Sequence, residues 1–460
     1  MRRSLGLGAV ALLLACAACG GDDSQMNPIT PADARPSGGE DAPLTGSCPT
    51  TLGPTQHTSG SVVDETWTAA QSPHIVTVGT NVTGTLTIEP CAEVLIGPAV
   101  TITIRNTGRI VAMGTASQRI HIGKTEAAPF ASIRAFGGGT LRLAYVDVDG
   151  GGDPLNTVPD LTGLFFLQGV DGTQPTQETL FVDHVTITGS RSNGIAMIDG
   201  AGFASGSTDL VVTGSVQFPV SLWSRAVGGL PTGRYTGNTH DEILLPATGG
   251  AESVQEDATM HNRGVPYRVG NSGSLGQLYI GRTEGLATLS IEAGTVLRVK
   301  KNGVIYVEKF TGDTAARGAL IAVGTADSRV VFTSAEASPA AGDWLGIYYG
   351  LLPTANNRID FARVEYAGGR SSAQGAACND PPEGRNNDAA IRIFGPPAGG
   401  QFIRNTIIAD SGLHGIDRSW RDDAKFDFLP SNNFVNVPMC QQTYPSDTNG
   451  ACPDPPPCPQ

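Results

Sequence analysis

The sequence has few of the features that mark a helical protein or a common enzyme. After the N-terminal segment its apolar runs are short, and between residues 288 and 350 none is long enough for a helix of ordinary length. It has no His-Glu-x-x-His pair, no phosphate-binding Gly-rich loop, no dinucleotide fingerprint and no Gly-x-Ser-x-Gly turn. These absences argue against the metalloprotease, nucleotide-dependent and serine-hydrolase chemistries that those motifs mark.

Positive charge is also scarce. The chain carries 30 Lys and Arg residues against 43 Asp and Glu residues, which gives a net charge of −13 at pH 7. Loss of Arg2 and Arg3 with an N-terminal signal leaves the remaining chain more acidic still. Because an acidic surface repels phosphate backbones, we expect no nucleic-acid partner.

In place of helices, the chain has short β-branched and apolar runs separated by Gly, Asp, Ser and Ala, most clearly between residues 288 and 350. This composition favours strands. The same phrases occur earlier: residues 85–89 (TLTIE) match residues 288–292 (TLSIE), and residues 114–122 match residues 324–332. The separation between matching segments grows along the chain, which indicates insertions in loops, as stacked repeats tolerate.

Two copies of a strand-only pattern predict an all-β solenoid. Each short strand pairs with the strand one turn below at ~4.8 Å, and inward side chains form continuous columns. We expect roughly 12–16 turns, with a first half at residues 48–264 and a second at 265–440. A β-sandwich is the alternative, but it needs hairpin turns, and Asn302-Gly303 is the best candidate for one.

Three phrases carry a resemblance to a known family: LTIEPC at 86–91, GTADSRVVFTS at 324–334 and GDWLGI at 342–347. They resemble bacterial cell-surface right-handed parallel β-helix proteins of the pectate-lyase-like superfamily. The resemblance covers about residues 60–440. It implies a single-stranded right-handed parallel β-helix with two related halves, and it leaves the activity open.

The N-terminus reads as a targeting segment. Residues 1–19 combine Arg2 and Arg3 with an apolar stretch that is too short to span a membrane. The segment ending at Cys16 resembles the lipobox of bacterial lipoproteins, which implies cleavage and diacylation at that cysteine, with Cys19 as the alternative. The analogy predicts an exported lipoprotein of the outer membrane or cell surface. An ordinary secretory peptide is the competing interpretation.

Two segments flank the predicted coil. Residues 20–47 are rich in Gly, Asp, Pro and Ser, which predicts a flexible tether. Residues 441–460 form a Cys- and Pro-rich tail that we expect to cap the last turn, because an open end exposes unpaired strand edges.

Six cysteines remain outside the targeting segment, and an even number in an exported chain predicts disulfides. A bridge between Cys48 and Cys91 would pin the N-terminal cap, but the sequence leaves the pairing open. Zinc is the competing interpretation, although no paired Cys-x-x-Cys set occurs in the mature chain. The candidates are Cys48, Cys91, Cys378, Cys440, Cys452 and Cys458.

Two groups of ionisable residues are candidates for chemistry. Asp147, Asp149 and Asp153 offer carboxylates beside a Gly-rich turn, which suits Ca²⁺. The further ligands of known calcium motifs are absent, so ordinary surface carboxylates are the alternative. The second group is catalytic by analogy with β-helix glycosidases and lyases, with solenoid corners as its alternative. It comprises His414, Asp417 and Arg418.

An aromatic set predicts a ligand surface, because aromatic rings on one flank can stack against sugars. Packing in the core is the alternative. The set comprises Trp344, Tyr348, Tyr349 and Tyr366.

These patterns favour a non-catalytic function. We expect a lipid-anchored surface β-helix, monomeric and without a cofactor, that presents an elongated face for adhesion or for binding glycan or protein. The alternative is a polysaccharide lyase or glycoside hydrolase of β-helix type.

Overall fold

The computed structural model describes residues 46–152, 162–170, 176–308, 317–379 and 387–458. The predicted signal peptide, its cysteines Cys16 and Cys19, nearly all of the tether, and Asp153 lie outside these residues. The chain from Gly46 onward forms one unit.

The described residues form short strands joined by turns and loops. The first 21 are β1 (Thr55–His57), β2 (Ser61–Val62), β3 (Glu65–Trp67), β4 (His74–Val76), β5 (Thr80–Val82), β6 (Thr85–Ile88), β7 (Glu93–Ile96), β8 (Thr101–Arg105), β9 (Arg109–Met113), β10 (Ile120–Lys124), β11 (Ser132–Phe136), β12 (Thr140–Ala144), β13 (Val146–Asp149), β14 (Gly163–Gln168), β15 (Gln177–Thr188), β16 (Asn193–Ile198), β17 (Ala201–Phe203), β18 (Thr208–Thr213), β19 (Val220–Leu222), β20 (Gly233–Arg234) and β21 (Ile243–Leu245).

The second part of the chain continues in the same way. Its strands are β22 (Ala258–Met260), β23 (Tyr267–Val269), β24 (Gln277–Ile280), β25 (Ala287–Ile291), β26 (Val296–Val299), β27 (Val304–Val307), β28 (Gly318–Val323), β29 (Val330–Ser334), β30 (Gly346–Tyr349), β31 (Arg358–Asp360), β32 (Ala362–Glu365), β33 (Ala389–Ile393), β34 (Ile403–Arg404), β35 (Ile407–Ala409), β36 (His414–Arg418) and β37 (Asn433–Val435).

Helical structure within the described ranges is limited to short 3-10 turns at Ala69–Gln71, Ser224–Gly229, Gly250–Glu252 and Leu429–Ser431. None of the helices in this part of the chain has the length and apolar character needed to cross a membrane.

The strands stack in parallel ladders. A 14-stranded sheet runs β2-β5-β8-β11-β14-β16-β19-β21-β23-β26-β29-β32-β35-β37 and crosses the predicted boundary between the halves without a break. A 13-stranded sheet holds the other strands of the first part, and two five-stranded sheets hold those of the second, in the orders β22-β25-β28-β31-β34 and β24-β27-β30-β33-β36. Neighbours in the 14-stranded sheet are typically three strands apart in sequence, which is the pattern of a coil.

One long strand joins two faces of the coil. The N-terminal part of β15 pairs with β12, and its C-terminal part pairs with β13. The 13-stranded sheet therefore bends around a corner, and its two flanks make up two of the three faces of each turn. The architecture is a parallel β-helix, as the repeat predicts, and the sandwich alternative is excluded. The 14-stranded sheet agrees with the roughly 12–16 turns expected from the sequence.

The core consists of columns of inward side chains. Leu86, Ile110, Leu141 and Leu180 are consecutive partners on β6, β9, β12 and β15, and all four are buried. Burial of each such side chain contributes about 1.5–3 kcal/mol relative to leaving it in water. Inward residues alternate with outward ones along each strand, so the outer faces can carry polar and aromatic side chains without disturbing the core.

The six predicted disulfide cysteines all form disulfides, which excludes the zinc alternative. The pairs are Cys48–Cys91, Cys378–Cys452 and Cys440–Cys458. Two of the bridges tie the C-terminal tail to the coil, where Thr443 N–H donates to the Ile416 carbonyl at 3.0 Å. Three disulfides indicate an extracellular or otherwise oxidising location.

Candidate functional site

The outer face of one five-stranded sheet carries a column of aromatic and charged side chains. Strands β24, β27, β30, β33 and β36 each contribute one member, and each member is the register partner of the next. The residues on either side of each member are buried in the core or at its edge. Strand alternation therefore directs the five members to the outer face. They are Tyr279, Tyr306, Tyr348, Arg392 and Asp417.

The three tyrosine rings are in contact with one another. The rings of Tyr279 and Tyr306 are stacked with centroids 4.8 Å apart, and Tyr348 meets Tyr306 edge-on at 5.8 Å. Tyr279 and Tyr306 are partly exposed, whereas Tyr348 is buried. Burial raises the pKa of Tyr306 to about 12 and raises the pKa of Tyr279 above its usual value. At neutral pH both phenols therefore keep their protons and can donate hydrogen bonds.

These rings form one wall of an open groove of about 510 Å³, which we call the tyrosine groove. A second wall is the loop that follows β32, including Arg370 and Ser371. The groove therefore combines the aromatic rings with hydroxyl and guanidinium groups of this loop and with the side-chain amides of Gln277 and Asn302. The described lining contains one cationic residue and no carboxylate, and it comprises Gln277, Tyr279, Asn302, Tyr306, Leu345, Tyr348, Arg370, Ser371, Ser372 and Ala373.

Arg392 holds the second wall in place. Its Nη1 donates to Ser371 Oγ at 3.1 Å and to the Ala373 carbonyl at 3.0 Å. Its guanidinium lies 5.4 Å from the Tyr348 ring centroid, a distance typical of a cation–π contact. The same buried side chain therefore contacts both walls of the tyrosine groove.

Asp417 provides the nearer of two counter-charges, and Asp388 Oδ1, also fully buried, lies 3.8 Å from Arg392 Nη1. Asp417 Oδ2 lies 3.0 Å from Arg392 Nε, and both side chains are fully buried. Ser419 and Thr443 also donate hydroxyl hydrogen bonds to the Asp417 carboxyl. Burial raises the pKa of this carboxyl, and Arg392 with the two hydroxyl donors opposes the rise. Both Asp417 oxygens are thus engaged by donors, whereas Arg392 Nη2 has no hydrogen-bond partner among the described residues.

The structure places the three catalytic candidates together on β36, where all are buried. Arg418 donates to the carbonyls of Thr443 and Phe426, and Cys440 N–H donates to His414 Nδ1 at 3.2 Å. His414 and Arg418 thus hold the C-terminal segment against the coil, and Asp417 pairs with Arg392. All three side chains are buried beside the C-terminal segment, and a catalytic role for them stays a prediction.

The predicted aromatic surface is corrected. Trp344 and Tyr349 belong to the hydrophobic core and are fully buried, and Trp344 Nε1–H donates to the Glu365 carbonyl at 2.9 Å. Tyr366 lines a different groove. Only Tyr348 lies in the tyrosine groove, and Tyr279 and Tyr306, which the sequence reasoning did not select, are its more exposed members.

The carboxylates of the predicted calcium site already contact cationic groups. Arg119 donates to both Asp147 oxygens, at 2.6 and 2.7 Å. His121 Nε2 lies 2.8 Å from Asp149 Oδ2. Because Asp153 lies outside the described residues, calcium binding here stays a prediction.

A second, wider groove of about 1070 Å³ lies on the 14-stranded sheet, and its carboxylates are also engaged. Glu242 accepts from Arg268 at 3.3 Å and from Arg298 at 2.7 Å. Glu365 accepts from Thr333 at 2.9 Å and also from Arg363. Both carboxylates are therefore occupied by donors in this structure.

The fold and the groove define a class of protein, a parallel β-helix with an aromatic outer groove. Comparison of the chain with protein-family models finds no matching family, and comparisons with curated proteins and with solved structures find no match either.

Proposed function

We propose that this protein is an exported, lipid-anchored β-helix that binds glycan chains in the tyrosine groove without cleaving them. The observation that carries the proposal is the column of Tyr279, Tyr306 and Tyr348, which lines an open groove together with a polar loop. Sugars present apolar C–H surfaces as well as many hydroxyls, so a groove that combines an aromatic wall with serine hydroxyls and two side-chain amides suits them.

The size of the groove supports a glycan over a protein partner. Its volume of about 510 Å³ lies within the usual range for small-molecule sites. A stable protein–protein interface buries about 800 Å² on each partner, which a groove of this kind does not provide by itself. A short stretch of a glycan chain is therefore the better match.

The chemistry of the lining supports binding without cleavage. Glycoside hydrolases use two carboxyl groups on either side of the scissile bond. Within the described lining of the tyrosine groove there is no carboxylate. A polysaccharide lyase or glycoside hydrolase is the alternative, and release of sugar fragments from a glycan would favour it.

Export and anchoring complete the proposal. The parallel coil and the resemblance of its repeat phrases support membership of the pectate-lyase-like superfamily of bacterial surface proteins. The three disulfides support an exported chain. Diacylation at Cys16, or at Cys19, would tether a monomeric coil to the outer membrane or cell surface.

Affinity electrophoresis of the full chain against a panel of neutral polysaccharides and polyuronates tests the proposal. We expect retardation by at least one neutral polysaccharide, with binding weakened about tenfold or more by Tyr306→Ala. Tyr145→Ala removes a tyrosine that stacks on His184 elsewhere on the coil and is the matched control. Equal retardation of Tyr306→Ala and wild type would contradict the proposed site, and EDTA-sensitive uronate release would favour the enzyme alternative.

A further inference from the structure

A cavity that is separate from both grooves described above adjoins the tyrosine groove at Tyr279, and we call it the second cavity. Its volume is about 370 Å³, and Tyr279 contributes to the lining of both spaces. Tyr306 stacks on the Tyr279 ring from the side of the tyrosine groove, and Tyr279 also lines the second cavity. The lining comprises Gly250, Ser253, Gln255, Tyr279, Ile280, Gly281, Arg282, Thr283 and Glu308.

Glu308 is the unusual member of this lining. It directly follows β27, its backbone N–H donates to the Ile280 carbonyl at 2.9 Å, and its φ of 74° lies in the left-handed region. The residue is 2% exposed. Glu308 Oε1 accepts the Leu352 N–H at 3.1 Å, whereas Oε2 has no hydrogen-bond partner among the described residues. A buried carboxyl oxygen without a partner costs free energy and calls for an explanation.

A neighbouring segment of the same chain leaves room for the Glu308 side chain. A Cβ added at Gly350 would come within 3.1–3.2 Å of Glu308 Cβ, Cγ and Cδ. Glycine at position 350 therefore permits the close approach that keeps the Glu308 carboxyl at the cavity. The position of the carboxyl is set by its backbone conformation, by the Leu352 N–H and by this glycine.

The remaining lining groups match a hydroxyl-rich ligand. Ser253, Gln255 and Thr283 bring hydroxyl and amide groups, and Tyr279 brings an aromatic surface. Arg282 lines the cavity and the positive charge of Arg317 acts on Glu308, which together oppose a cationic ligand. We infer that this cavity binds one neutral sugar residue, with a ligand hydroxyl paired to Glu308 Oε2. The inference rests on the proposed function, because Tyr279 is common to both sites.

Protonation of Glu308 should control the affinity of this cavity. Burial raises the pKa of the Glu308 carboxyl to about 7. A neutral sugar residue displaces water from the carboxyl and brings no positive charge, so binding favours the protonated form further. Affinity should therefore be highest below pH 7 and should fall as the pH rises through that value.

Three other ionisable groups lie near Glu308: the guanidinium groups of Arg282 and Arg317 and the phenol of Tyr279. Burial raises the pKa of Tyr279 above its usual value and so away from that of Glu308. Glu252 needs a control variant, because it directly precedes Ser253 of the cavity lining and burial raises its pKa as well. Its carboxyl is hydrogen-bonded to Thr248, and it does not belong to the lining described above.

Calorimetric titration of the full chain with cellohexaose, xylohexaose and maltohexaose, at about pH 5.5 and about pH 8.5, tests the inference. For wild type we expect about tenfold weaker binding at the higher pH. Glu308→Gln should bind with the affinity that wild type has at low pH, at both pH values, because the amide resembles the protonated carboxyl. Glu252→Gln should keep the wild-type pH dependence.

The outcomes separate this inference from the proposed function. If Tyr306→Ala abolishes binding but Glu308→Gln retains the wild-type pH dependence, the second cavity is overturned and the tyrosine groove stands. If the wild-type affinity does not change with pH and Glu308→Ala binds as tightly as wild type, sugar binding in the second cavity is overturned in the same way. No binding of any of the three oligosaccharides overturns the second cavity, and unchanged binding in Tyr306→Ala overturns both sites.

Discussion

Arg392 Nε lies 3.0 Å from Asp417 Oδ2 on the neighbouring strand, and neither side chain has any exposed surface. The pair closes one end of the column that begins with Tyr279. Through Ser371 and Ala373, Arg392 also fixes the loop that forms the second wall of the tyrosine groove. The shape of the groove therefore depends on a buried ion pair two strands away from its exposed rings.

Breaking this ion pair should be costly. Asp417→Ala removes the carboxylate nearest to Arg392 and leaves only the buried Asp388 carboxylate, 3.8 Å from Arg392 Nη1, so we expect the free energy of unfolding to fall by about 3 kcal/mol. Replacing the ion pair with apolar residues while also neutralising Asp388, as in Arg392→Met with Asp417→Leu and Asp388→Asn, should recover part of the loss. Denaturant unfolding measures both changes. A loss below about 1 kcal/mol in Asp417→Ala would show that the Asp417 carboxylate is not needed to neutralise the buried Arg392 guanidinium.

Glu308 should make stability depend on pH. Its folded-state pKa of about 7 lies above that of an unfolded glutamate, so the folded chain keeps a proton that the unfolded chain releases. The free energy of unfolding should therefore fall as the pH rises from about 4.5 to about 7, and the loss is complete above that value. We expect Glu308→Gln to be more stable than wild type at pH 8 by about 1–3 kcal/mol, with little difference at pH 4. Glu126→Gln, in an exposed loop, is the control, and an unchanged pH profile in Glu308→Gln would contradict the assignment.

His121 should titrate above the usual range for histidine. Burial lowers its pKa, but Asp149 at 2.8 Å and Glu93 at 3.4 Å outweigh that effect and raise it overall. The raised pKa means that protonation of His121 stabilises the fold at low pH, and this contribution is lost as the pH rises through the folded-state pKa. In an NMR titration, Asp149→Asn should lower the His121 pKa, whereas Asp183→Asn, beside His184, should leave it unchanged. A His121 pKa that does not respond to Asp149→Asn would rule out this account.

The lipid anchor is tested by metabolic labelling with palmitate in a bacterial host. We expect wild type and Cys19→Ala to take up label and Cys16→Ala to lose it, because the lipobox resemblance is stronger at Cys16. Label in Cys16→Ala that disappears only in the double variant would move the anchor to Cys19. Label retained in the double variant would remove the lipoprotein prediction altogether.

The coil could be predicted because its signal is periodic. Short β-branched runs recur with turn residues between them, and such runs can bury their apolar faces only by stacking. The way in which the two copies stack could not be predicted. The match of residues 85–89 with 288–292 makes β6 and β25 equivalent, and with them the next strands, β7 and β26. Yet β7 lies in the 13-stranded sheet and β26 in the 14-stranded sheet. The lengths of the loops between strands decide which face of the coil each strand joins. No simple sequence pattern encodes that assignment.

The groove was missed because aromatic residues were grouped by closeness in sequence. Tyr348 and Tyr349 are adjacent on β30, so strand alternation sends one outward and the other into the core. The members of the column are instead separated by whole turns. An apolar-Tyr pattern recurs at 278–280, 305–307 and 347–349, and the alignment of these triplets is the sequence signal that identifies the outer face.

The sequence predicted only part of the cysteine pairing. The even count predicted disulfides, and Cys48 with Cys91 was the pair suggested for the N-terminal cap, as found. The bond between Cys378 and Cys452 joins a loop of the coil to the tail across 74 residues. Only the stacked coil brings those two segments together.

The most direct test of the central claim is NMR of the full chain carrying ¹³C-labelled tyrosine rings, titrated with the polysaccharide or oligosaccharide that it retains best. Ring signals of Tyr279 and Tyr306 should shift, while those of Tyr235 and Tyr349, both fully buried in the core, should not. Shifts confined to tyrosines away from the groove, or the absence of any shift at saturating glycan, would contradict the account.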